Sequence, residues 1–175
     1  TEWELIKGIL PPLNQESWNS YFAEYKKIPQ FLLLNSSMSL SEFKVIFYWE
    51  YAHRILGRII GLFFLIPLLY FHFVKKINFK KLIPCYLALI LIIIQGIIGW
   101  YMVMSGLVND VTVSHYRLSL HLSMAIIILS IIFWQFLNIK RNKIKDFFKV
   151  DKYKMAYFFL ILILFIQIIV GAFVS

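Results

Sequence analysis

The chain has 175 residues, 61% of them hydrophobic and only 15% charged, with a net charge of +9. A soluble domain is about half apolar and about a quarter charged, so a water-soluble globule is excluded and an integral membrane protein indicated. The basic excess lies in two short links between apolar runs, which excludes a nucleic-acid surface and fits the charge asymmetry that orients membrane proteins.

Residues 1–48 form a polar leader that is not featureless. It carries Trp3, Trp18, Tyr21, Phe22, Tyr25 and Phe31, and a Pro11-Pro12 break. Residues 15–26 fit a short amphipathic helix lying on the membrane interface. Residues 35–41 read as a turn-rich break. The leader is expected to fold as a cap over one end of a helix bundle.

Four apolar runs follow, at residues 49–74, 82–104, 118–139 and 153–174. Each has the length needed to cross a hydrocarbon core of about 30 Å as a helix. None has the alternation of a barrel strand. The expected fold is all-α: a polytopic membrane helix bundle with three helices in residues 49–139, a basic loop at 140–154, and a fourth helix at 153–175. The lone Cys85 lies inside the second run, where neither an intramolecular disulfide nor a paired-thiol site is available.

The links give a sidedness. Residues 75–81 hold four lysines and no acid, and residues 140–154 hold seven basic and two acidic residues. The leader to residue 47 holds four basic and five acidic residues, and residues 105–117 hold Asp110 and Arg117. Positive links stay on the cytoplasmic or matrix side. The leader and the 105–117 link are therefore expected on the opposite face, and the alternation of four spans agrees.

Charged groups at the edge of a span are expensive and usually functional. The stretch YWEYAHRILGRIIGL places Glu50, His53, Arg54 and Arg58 there. His53 precedes the end of its span by 21 residues and His121 precedes the end of its own by 18, heights of roughly 31 and 27 Å above one boundary. Two imidazoles at one level on different helices suit a haem iron. Glu50 is one turn before His53 on the same face. Arg54, Arg58 and Arg117 are near enough in height for carboxylates such as haem propionates. A single histidine here would read as a solvated rim residue. Two at matching depth, each with an arginine nearby, favour a shared site. His115 reads as a rim residue of the link, and His72 as a side chain snorkelling to the other boundary. Gly57 with Gly61, and Gly96 with Gly99 after Gln95, suggest close helix contacts or a flat ring lying on backbone.

The blocks TEWELIKGILPPLNQESWNSYFAEYKKIPQF, SEFKVIFYWEYAHRILGRIIGL, QGIIGWYMVMSGL and VSHYRLSLHLSMA resemble, in that order, the haem A synthase family in its mitochondrial and alphaproteobacterial branch. The resemblance covers nearly the whole chain. It implies an eight-span protein made of two four-helix halves, of which this chain holds spans two to four and most of five. It implies an enzyme that oxidises a methyl group of haem O, its substrate, to a formyl group, making haem A for cytochrome c oxidase. Glu50, His53 and His121 match the first-half motif, the substrate side, with the glutamate needed for activity. The pair for a bound haem B cofactor would lie beyond Ser175, and the segment alone is expected to be inactive. The leader lacks the cysteine pair that many bacterial relatives carry, so a mechanism relying on that pair is unavailable here. The implied partners are the haem substrate, the lipid bilayer, haem O synthase and cytochrome c oxidase assembly factors, with a homo-oligomer open. The implied location is a bacterial inner membrane with the Thr1 side periplasmic, the mitochondrial inner membrane being the alternative. The residues by themselves also leave open a di-histidine b-type cytochrome subunit that only passes electrons, and a transporter or assembly scaffold with a polar path.

Overall fold

The computed structural model describes residues 10–106, 111–141 and 152–174. Among these residues the chain is all-helical, without a strand: α1 (Gln15–Tyr25), α2 (Pro29–Leu34), α3 (Leu40–Val74), α4 (Phe79–Gly106), α5 (His115–Arg141) and α6 (Lys152–Val174). Helices α3 to α6 are long and apolar enough to cross a membrane, in agreement with the four hydropathic runs. Trp3 and most of the 140–154 loop lie outside the described residues. The chain divides into two compact units, Thr1–Phe63 with Gly99–Ser114, and Phe64–Ile98 with His115–Ser175.

In the first unit the leader is a folded cap. Asn14 starts α1, its side chain accepting the Ser17 amide at 2.8 Å, and Glu16 in the first turn complements the positive helix end. Trp18, Phe22 and Tyr25 recur at helical spacing and are buried. Pro29 opens α2, where a missing N–H costs nothing, and Phe31 on that helix is buried. These rings and Phe43 of α3 form one core, edged by Ile28, Met38, Leu40 and Phe47. Tyr25 and Phe43 pack with centroids 5.0 Å apart, Phe22 and Phe31 edge-to-face at 5.9 Å. Tyr25 keeps its polar end satisfied, its hydroxyl accepting from Asn35 at 3.0 Å. The apolar face of α1 is turned into this core, against Phe31 and Phe43.

Helix α3 begins at Leu40 because Ser39 and Glu42 form a reciprocal capping box. The Glu42 carboxylate accepts the Ser39 amide at 2.8 Å, and the Ser39 hydroxyl accepts the Glu42 amide at 3.4 Å. The helix has 35 residues, a length of roughly 52 Å, well beyond a hydrocarbon core of about 30 Å. Its first turns form the floor of the cap.

In the second unit, Leu68, Leu82, Ala88, Ile128 and Ala172 are buried. Helix α5 packs along α6, and Tyr116 meets Phe173 edge-to-face at 5.1 Å. The end of α3 is held to the start of α4 by His72, whose ring lies edge-on to Phe79 at 5.9 Å and to Tyr86 at 5.8 Å. His72 is half-buried, and its Nδ1 is a buried atom without a hydrogen-bond partner among the described residues. Side chains such as Phe73, Ile93, Phe133 and Ile163 are exposed, as expected of surfaces that face apolar surroundings.

Candidate functional site

Two helix segments carry the candidate residues. On α3, in the first unit, Glu50 and His53 are exposed, Arg54 is half-buried and Arg58 is exposed. Glu50 and His53 are three residues apart and share a face. Arg54 turns back along its own helix, its Nε donating to the Glu50 carbonyl at 3.3 Å. Its guanidinium lies 6.0 Å from the centre of the Phe47 ring, within range of a cation–π contact. Phe47 is stacked on Tyr51 at 6.1 Å and takes the edge of Trp18 at 5.0 Å. The folded leader thus supplies the aromatic seat of Arg54.

His53, Gly57 and Gly61 recur every four residues and form a stripe down α3. A Cβ built at Gly57 or Gly61 would meet nothing within 4 Å, and the same holds at Gly96. The expectation of close helix crossings at these three glycines is therefore not met. What α3 presents instead is an imidazole above two turns of bare backbone, with guanidinium groups beside it.

On α5, in the second unit, His121 is half-buried two turns into the helix, Arg117 is half-buried one turn before it, and His115 is the exposed first residue. His115 and Arg117 belong to the helix, which begins three residues before the apolar run, so His115 is not part of a link. The residue that hydropathy passed over is Gln95 of α4. Its Nε2 donates to the His121 carbonyl at 3.0 Å, while its Oε1 is buried with no hydrogen-bond partner among the described residues. A glutamine deep in an apolar run is itself a signal of polar work, and it ties α4 to the turn that carries His121.

Among the described residues no group of three or more His, Cys, Asp or Glu side chains could hold a metal ion. An imidazole donor fits a metal carried by a macrocycle, which needs only axial ligands from protein, and the bare stripe below His53 fits a flat ring. Guanidinium groups match the carboxylates such a ring bears.

The family profile described as cytochrome oxidase assembly protein (COX15-CtaA) matches residues 1–175. A heme A synthase of Pelagibacter ubique is 52% identical over 180 residues, covering 100% of this chain and 51% of that protein. A heme A synthase of Rickettsia africae is 42% identical over 177 residues, covering 99% of this chain and 52% of that protein. One from Rickettsia felis is 47% identical over 137 residues, covering 78% of this chain and 41% of that protein. The chain spans about half the length of the curated relatives it matches. No solved structure matches it.

Proposed function

Because the chain belongs to the cytochrome oxidase assembly protein family, we propose that it is the substrate-binding half of a haem A synthase, an eight-span enzyme that converts the haem O methyl group to a formyl group. The observation that carries this is the α3 stripe: Glu50 one turn before His53, with open backbone at Gly57 and Gly61 beneath and Arg54 and Arg58 alongside. The similarity to heme A synthases supports the same reading.

In this proposal His53 and His121 are axial ligands to the iron of haem O, and Arg54, Arg58 and Arg117 take its propionates. Oxidation of the methyl group, with water as the oxygen source, releases protons and electrons in equal number, the electrons passing to an external acceptor. Glu50, beside the ring edge, takes up protons. A carboxylate there can cycle between its charged and neutral forms without leaving the site. A haem B cofactor is held by the other half of the enzyme. The protein sits in a bacterial inner membrane with the leader on the periplasmic side and the lysine links on the cytoplasmic side, receives haem O from haem O synthase, and passes its product to cytochrome c oxidase assembly factors.

The test is haem analysis of the complete protein carrying His53→Ala or His121→Ala. The expected result is accumulation of haem O and loss of haem A in both, with haem B retained. Loss of haem B instead would assign the pair to a resident electron-transfer cofactor and overturn the proposal.

A further inference from the structure

Between α3 and α4 the chain turns in four residues, 75–78, and the lysines around this turn occupy positions that the backbone disfavours. Lys75, directly after the last residue of α3, has φ 54°, the left-handed conformation that ordinarily selects glycine at a helix end. Lys80 and Lys81 fall in the first turn of α4, which contains no acidic residue. A helix begins with partial positive charge, so cations there oppose the dipole. Lys76 completes a group of four exposed ammonium side chains.

Among the described residues of the second unit there is no carboxylate to neutralise them. No aspartate or glutamate occurs anywhere from Tyr51 to Asn109. The turn is also held in shape. His72 of α3 packs edge-on against Phe79 and Tyr86 of α4, and Asn78 accepts the Lys80 amide through its side chain at 3.0 Å and the Lys81 amide through its carbonyl at 2.8 Å. Those amides are taken, so an anion meeting this turn would meet the ammonium groups. Orientation of the protein in the membrane needs lysines somewhere in the link. It does not need them at a left-handed residue or at a positive helix end. Local rules broken without local compensation mark function.

We propose that this turn is a binding site for the headgroup phosphate of an anionic phospholipid, held by Lys75, Lys76, Lys80 and Lys81 where two spanning helices emerge from the hydrocarbon. The position supplies the partner: a phosphate layer lies at the depth where an apolar helix ends, and lipid tails would lie along the exposed apolar flanks of α3 and α4, such as Phe73 and Ile83.

The test titrates the complete, detergent-solubilised protein with phosphatidylglycerol, phosphatidylcholine or inorganic phosphate, and counts bound lipid by native mass spectrometry. Lys80→Gln/Lys81→Gln is expected to weaken phosphatidylglycerol binding by roughly 30-fold, and Lys75→Gly to weaken it by about fivefold while raising the melting temperature in phosphatidylcholine, which reports that the variant is folded. A charge-matched pair in the cap, Lys26→Gln/Lys27→Gln, is expected to leave binding unchanged. Equal loss in the cap variant, unchanged binding in the turn variants, or competition by inorganic phosphate as effective as by the lipid would each overturn the site and leave the lysines a role in orientation only.

Discussion

The side-chain amide of Gln95 donates to the main-chain carbonyl of His121 across α4 and α5, at 3.0 Å. Cross-helix bonds of this kind in membranes average about 0.6 kcal/mol, whereas a buried acceptor without a partner, as Gln95 Oε1 is, costs about 1–3 kcal/mol. Gln95 therefore does not earn its place through stability. Gln95→Leu should leave the melting temperature unchanged or raise it, while altering the absorption and magnetic spectra of bound haem. A lower melting temperature with an unaltered haem spectrum would make the residue structural only.

Glu50 is the one carboxylate on the α3 stripe. Glu50→Gln keeps its shape and its acceptor oxygen but cannot take a proton. Extracted haem from this variant should be haem O or an alcohol derived from it, at normal total haem content. Normal haem A content would remove Glu50 from the chemistry.

The Ser39–Glu42 capping box fixes where α3 begins. Ser39→Ala should cost about 1 kcal/mol, read as a lower melting temperature with activity per folded molecule retained.

Phe43 is 4% exposed and touches Trp18, Phe22 and Tyr25. Phe43→Ala should destabilise the cap by about 3–5 kcal/mol. Limited proteolysis would then cut within residues 10–39, and spared leaders would show that the cap does not depend on this core.

Much of the molecule was legible in advance. The four spans follow from continuous apolar runs, and α1 from the spacing of Trp18, Phe22 and Tyr25. Other features escaped because hydropathy reports polarity and not hydrogen bonds. Helix α3 starts nine residues before its apolar run, at a Ser-x-x-Glu signal that was present in the sequence. His115 falls inside α5 for the same reason: a helix does not stop where its apolar stretch does. Glycine spacing says that a backbone is bare, not what approaches it: Gly57, Gly61 and Gly96 suggested helix crossings or a seat for a flat ring, and among the described residues nothing comes within 4 Å of a Cβ built at any of them. Gln95 was visible as a polar residue in an apolar run, but its partner is a main-chain carbonyl, which carries no mark in the sequence. Depth arithmetic gives His53 and His121 their heights along two helices and is silent on their lateral separation.

The aromatic cap also governs how deep a helix rests. Phe43 and Phe47 lie beneath it on α3, hidden from lipid, so the stretch of α3 that seeks hydrocarbon begins at Trp49. Were the cap to open, that stretch would begin at Phe43, roughly 9 Å earlier along the axis. A longer apolar rod in a bilayer of fixed thickness tilts or sinks, and Glu50 and His53 would be drawn down with it. A folded leader thus shortens the apolar face of α3, and with it the length of rod that a bilayer has to match.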